Sequence, residues 1–140
     1  MNFENESDLQ REQKAIELFT SFYGLTYQKL EKYDIDFMIL SESKSIAFAE
    51  VKGRKKPINE SFPLPLSTFK INKLYEKKYM GKQLKRIMIW ACDDGIIYAD
   101  LSKLEGLIRE GGRPNRDGSY RDTEMLAYYH QQENMKYLFY

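Results

Sequence analysis

The stretch DIDFMIL-SESKS-IAFAEVK, residues 34–52, constrains the chain more than any other. Two runs rich in branched and aromatic side chains, joined by five polar residues, read as an antiparallel hairpin, because such side chains suit a pleated, half-buried surface. Side chains alternate along a strand, so Ile46, Phe48, Glu50 and Lys52 share one face and Ala47, Ala49 and Val51 the other. With the turn centred on Ser43, Leu40 pairs with Ile46 and Asp36 with Glu50, which sets two carboxylates side by side on neighbouring strands. Asp34 lies on the same face as Asp36, and a one-residue change of register reopens the choice between them.

Around this hairpin, residues 8–23 have a helical period, with Leu9, Ala15, Ile16, Leu18, Phe19, Phe22 and Tyr23 on one half of the wheel. Ser7 or Asp8 is placed to cap that helix and Gly24 to end it. LTYQKLEKY suggests a short first strand and a turn, and the proline-rich GRKKPINESFPLPL a loop. A second helix is expected from Ser67 to about Tyr79, with Gly81 beyond its end. RIMIWAC and IIYADL, separated by Asp93-Asp94-Gly95, predict a second hairpin. SKLEGLIREGG predicts a short helix and RPNRDGSYRDT a polar loop, while EMLAYYHQQENMKYLFY fits either a helix or a closing strand. This order describes an α/β or α+β sheet with helices on its faces.

Length allows one core and not two, so residues 1–140 are expected to form one unit. A 42% hydrophobic and 31% charged composition is that of a globular chain, which excludes a disordered one. The start is polar and acidic and no window approaches ~18 uninterrupted apolar residues, so a soluble, cytoplasmic protein without a membrane partner is expected. Cys92, the single cysteine, has no internal disulfide partner and reads as a small buried hydrophobe. A net charge of +1 excludes a strongly basic composition, yet charge is segregated: residues 70–86 hold seven Lys or Arg against one acid.

Chemistry enters at the hairpin. Two adjacent carboxylates repel and resist burial without a counter-charge, so the Asp36–Glu50 pair wants a cation, and oxygen ligands suit Mg²⁺ or Mn²⁺. Lys52, on the face of Glu50, is placed to help activate water or to neutralise charge building on a phosphate. A bland reading stands beside this one, a solvated strand face with a cross-strand charge pair. Glu12 adds weight, since the wheel sets it between Ile16 and Phe19 in the apolar face. Either it snorkels to the rim or it is a third acid reaching the site.

Asp36, then Glu50-Val51-Lys52 preceded by the apolar IAFA, with an upstream helix carrying Glu12, resembles the PD-(D/E)xK nuclease superfamily. The resemblance runs from residue 8 to about residue 92 and implies a restriction-endonuclease-like fold. That fold is a central mixed sheet of about four to five strands flanked by helices, with core order αβββαβ. It further implies that Asp36, Glu50, Glu12 and the backbone carbonyl of Val51 bind divalent metal and that Lys52 assists hydrolysis. No proline precedes Asp36, where the sequence reads Ile35-Asp36.

Basic residues supply the candidate DNA contacts. Arg54, Lys55 and Lys56 leave the Lys52 strand directly, and Lys70, Lys73 and Lys77 form a row on the second predicted helix. Arg113, Arg116 and Arg121 lie in the polar loop, and His130 reads as packing or surface. The expected function is a metal-dependent DNA endonuclease of phage or mobile-element type. The alternatives are an inactive nucleic-acid-binding module on the same fold and a protein-interaction factor. A chain this small has no room for a separate sequence-reading domain, so specificity is expected from substrate structure, a homodimer or a protein partner.

Overall fold

A computed structural model of the protein describes residues 6–30, 35–76, 84–112 and 123–140. Eleven elements follow in chain order: α1 (Glu6–Tyr23), β1 (Thr26–Lys29), β2 (Phe37–Ser41), β3 (Lys44–Gly53), β4 (Leu64–Ser67), α2 (Thr68–Leu74), β5 (Lys85–Ala91), β6 (Gly95–Asp100), β7 (Leu107–Gly112), β8 (Thr123–Tyr129) and β9 (Lys136–Phe139). Six strands form one sheet in the order β1-β2-β3-β5-β6-β9 and three form a second in the order β4-β8-β7. Every pairing is antiparallel except β3 with β5, which makes the large sheet mixed. A parallel pair needs a crossover, and here the chain crosses through β4 and α2. The class is therefore α+β, and α1, β1, β2, β3, α2 and β5 reproduce the expected αβββαβ order.

The two faces of the large sheet are filled differently. Ala15, Ile16 and Phe19 of α1 pack on Ala47, Ala49 and Val51 of β3 and on Ile89, Ala91 and Ile96 beyond it. The alanines leave room for the helix to lie close. Thr20, also buried, satisfies its hydroxyl on the Ile16 carbonyl at 2.8 Å, and Gly24 ends the helix with φ +65°. Leu9, Phe22 and Tyr23, expected on the apolar face, are instead substantially exposed, because the helix touches the sheet along a narrower stripe than the wheel suggests. On the opposite face Phe48, Met88, Trp90 and Ile97 pack against Leu64, Leu66, Ala127 and Tyr129 of the small sheet and Leu74 of α2. The Trp90 indole donates to the Pro65 carbonyl at 3.0 Å, tying the two sheets together.

Two expectations are corrected by pairing between distant segments, an open choice is resolved and one helix proves shorter than expected. The proline-rich loop contains β4, and Pro65 is tolerated there because β4 is an edge strand, where a missing N–H costs no ladder bond on the open side. SKLEGLIREGG is not a helix. It makes a 3-10 turn at Leu101–Lys103, where Asp100 accepts from the Ser102 amide and hydroxyl, and then enters β7. Its backbone groups are satisfied by β8, and tertiary pairing outweighs a weak helical propensity. The ambiguous C-terminal stretch forms two strands, β8 and β9, each in a different sheet. The second helix is capped by Ser67 as expected but ends at Leu74, with Tyr75 as its C-cap. Lys77, Tyr79, Gly81, Asp34 and the loop arginines Arg113, Arg116 and Arg121 lie outside the described residues. Among the described residues, no helix is long and apolar enough to cross a membrane.

The β2–β3 hairpin is the element that positions the site. Its turn is made by Glu42 and Ser43, both at positive φ (49° and 68°), as a tight two-residue connection demands. Leu40 pairs with Ser45 rather than with Ile46, and the register then shifts so that Ile39 faces Ala47 and Phe37 faces Ala49. Ile46 is the extra residue of a β-bulge. Ser43→Gly, which relieves the left-handed backbone while adding unfolded-state entropy, is expected to raise stability by about 0.5–1 kcal/mol in urea denaturation. At the other side of the sheet a Cβ on Gly95 would fall 2.0 Å from the Leu138 carbonyl oxygen. Gly95→Ala is therefore expected to push β9 off β6 and cost about 1–3 kcal/mol, read by the same denaturation together with faster amide exchange in β9.

Candidate active site

β2 begins at Phe37, so the β2–β3 ladder ends one step short of Asp36. The side chain of Asp36 continues it. Its Oδ2 accepts the Val51 N–H at 2.8 Å, while its own N–H donates to Glu50 Oε2 at 3.2 Å. Continuing the register beyond the bulge sets Asp36 opposite Glu50, the pairing expected from sequence, although the turn-side pairs that led to it are one residue different. Glu50 is 3% exposed. It shares its strand face with Phe48 and Lys52, and that face is roofed by β4 and α2.

The carboxylates open on a cleft of about 980 Å³ between the N-terminal half of α1, the end of β3, β4 and the start of α2. Glu12 reaches it from α1, with a side chain only 12% exposed and Oε1 3.6 Å from Lys29 Nζ. Lys70 reaches it from α2 and puts Nζ 2.9 Å from Glu50 Oε1. Burial first, and then the negative charge of Asp36, push the Glu50 carboxyl up to about 7, with Lys70 offsetting only part of the effect. Burial pulls the Lys70 ammonium down, but the charge and hydrogen bond of Glu50, with the charges of Asp36 and Glu12, outweigh it and hold the group above the usual lysine range. The three acids selected from the sequence thus act on one cation.

Among the described residues no three His, Cys, Asp or Glu side chains stand in a cluster ready to hold a metal. Asp36 and Glu50 are the close pair. The donor set nonetheless fits a hard divalent ion that takes one or two carboxylates and keeps water on its other positions. The observation behind that fit is the pair itself, a buried Glu50 hydrogen-bonded to half-buried Asp36, whose mutual repulsion a cation would relieve.

The basic residues divide by position. Arg54 and Lys55 line the cleft, yet Arg54 spends Nε and Nη2 on the Ser61 carbonyl (3.0 and 2.8 Å), and Lys55 lies 3.6 Å from Asp8. Lys56 is exposed and Lys73 is paired with Glu76 at 3.7 Å; neither forms the cleft wall. The expected row on α2 is split, because Lys70 turns into the cleft. Arg11 and Phe69 are among the cleft residues not singled out from the sequence. Arg11 binds the Ala91 carbonyl and Asp93, fastening α1 to the end of β5, and Phe69 projects 65% exposed beside Lys70. An aromatic residue off the Ile71–Leu74 face was the available signal for Phe69. Arg11 left none, since its partners lie 80 residues away. Cys92 is buried and its thiol pushed up by that burial, as expected of an inert cysteine, and His130 is on the surface.

A mixed sheet of this order, with Asp36 immediately before β2 and Glu50-Val51-Lys52 on the adjacent β3, has the restriction-endonuclease-like architecture. The chain belongs to a family described as phage putative PDDEXK endonuclease, whose model matches residues 1–136. Neither the curated proteins nor the solved structures yield a match.

A consequence for stability follows from Glu50. An unfolded glutamate ionises near 4.5 and the folded one near 7, so between those values the unfolded chain has released a proton that the native protein still holds. Stability contributed by Glu50 is present below pH 4.5 and is lost as pH rises to about 7. In EDTA, Glu50→Gln should therefore gain on wild type across that window, by an amount on the order of 3 kcal/mol, in denaturation curves at pH 5 and pH 8.

Proposed function

We propose that the protein is a metal-dependent DNA endonuclease acting in the cytoplasm of the phage-infected cell. The observation that carries this reading is the interlocked Asp36–Glu50 pair, with Glu50 buried, Asp36 half-buried and Lys52 exposed beside them, in a cleft that the cationic side chains Arg54, Lys55 and Lys70 help to line. Asp36 and Glu50 would hold a Mg²⁺ ion, with Glu12 and the Val51 carbonyl as additional donors, and Mn²⁺ would substitute. When bound, such an ion supplies Lewis-acid polarisation of a phosphoryl oxygen and of an attacking water.

The chain's own residues do the rest. Asp36 keeps the end of β3 in place through the Val51 amide, so that Glu50 and Lys52 project together from one strand face. Lys52 offers positive charge to the scissile phosphate as negative charge grows there. Arg54, Lys55 and Lys70 give the cleft a cationic wall suited to a phosphodiester backbone. Substrate shape, a second copy or a partner protein would supply its selectivity.

A second reading, a nucleic-acid-binding module without hydrolysis, is favoured by the Lys70–Glu50 ion pair, which already supplies the buried carboxylate with a counter-charge. Labelled duplex, single-stranded, nicked and four-way DNA, incubated in Mg²⁺ or Mn²⁺, separate the two. Cleavage by wild type, lowered by roughly a hundredfold or more in Glu50→Ala and in Lys52→Ala while circular dichroism stays native, is the expected outcome. Undiminished cleavage in both variants sinks the site assignment. Salt-sensitive binding with no nicking in either metal favours the silent module.

A further inference from the structure

Lys70 is the residue of the cleft whose ion pair with Glu50 the endonuclease reading does not explain. It sits in the first turn of α2, a short helix anchored by the Ser67 cap and by buried Leu74. Its side chain is 44% exposed, so it contributes little to the core, yet its Nζ is 2.9 Å from the almost fully buried Glu50. Asp36 and Glu12 line the same cleft, so one flexible monovalent cation shares it with all three acids. A lysine suits such a place. Its ammonium is a compact, strongly hydrated point charge on a four-carbon stem, and it can leave toward solvent without unpacking anything.

We propose that Lys70 is a built-in counter-ion of the carboxylate cluster, held on Glu50 when no divalent ion is bound and released from it into the cleft when one binds. This rests on the metal reading above and adds a positioning residue to it. The ammonium and a divalent ion repel each other and draw on the same carboxylate charge, so Lys70 weakens ion binding by competition while keeping Glu50 compensated. Once released, Lys70 remains beside Phe69 in the wall of the cleft, where an incoming phosphate is its natural partner.

Two readouts independent of cleavage test this. Mn²⁺ binding, followed by the electron paramagnetic resonance of the free ion in the absence of DNA, should tighten about tenfold in Lys70→Met, the step that loss of ~1.4 kcal/mol of competition produces. Lys70→Arg, which keeps the charge, should stay close to wild type, and Glu50→Ala should lose binding. In the wild-type chain, acetylation of Lys70 read by peptide mass spectrometry should be slow without a divalent ion and faster with Mn²⁺, while exposed Lys44 at the start of β3 reacts at one rate throughout. The labelling arm needs no variant, so a Lys70→Met protein that fails to fold does not blunt the test. Mn²⁺ affinity unchanged or weaker in Lys70→Met, with Lys70 labelling indifferent to the ion and Glu50→Ala still losing binding, overturns the counter-ion role and leaves the metal site standing. No Mn²⁺ binding by wild type or by Lys70→Met overturns the metal reading and this inference with it.

Discussion

The exchange between Asp36 and the end of β3 is the interaction on which the site depends. Its carboxylate takes the Val51 amide and its amide serves Glu50, so backbone and side chain together replace the ladder step that β2 is too short to make. The bulge at Ile46 is what makes that exchange possible. If the pairing set by the turn, Leu40 with Ser45, ran on unchanged, Asp36 would face Ala49 and point toward the α1 side of the sheet. One extra residue in β3 restores the parity and brings the aspartate to the face of Glu50. A local irregularity near a turn therefore decides which face carries chemistry.

The two faces of β3 then serve different purposes. Ala47, Ala49 and Val51 are small enough for α1 to lie close, and that closeness carries Glu12 to the rim of the cleft even though its helix packs on the opposite side from Glu50. Phe48 belongs to the other core, and the β4–β8–β7 sheet that covers it also buries Glu50. Burial of a carboxylate beside a second carboxylate is unfavourable, and the fold answers with the ammonium of Lys70 rather than with an apolar replacement. The strain is localised where a cation would be most useful.

Much of this was legible from residue order. Alternation placed Glu50 with Lys52 and opposite to Ala49, and the helical wheel marked Glu12 as an acid in an apolar face; each is a short-range periodicity of a regular element. The apolar run RIMIWAC announced a strand, and β5 proves to be one buried on both faces. The resemblance carried by Asp36 and Glu50-Val51-Lys52 matched the family to which the chain belongs. By contrast β4 was hidden by its prolines and β7 by a helix-like pattern, because each is a strand only by virtue of β8. The bulge was invisible because no residue type marks it.

Residue order by itself therefore determined the strands of the hairpin, the face shared by Glu50 and Lys52, the acid on α1 and the αβββαβ order, all set by interactions within a few residues along the chain. Only the tertiary structure decided that Glu50 would be buried, that a second sheet would roof it and that Lys70, twenty positions away and read as one of a row of candidate DNA contacts, would become its partner. Those outcomes arise from contacts between segments whose separation carries no period. Burial, and the charge pairing that burial demands, follow from how elements pack and not from the order in which they are strung.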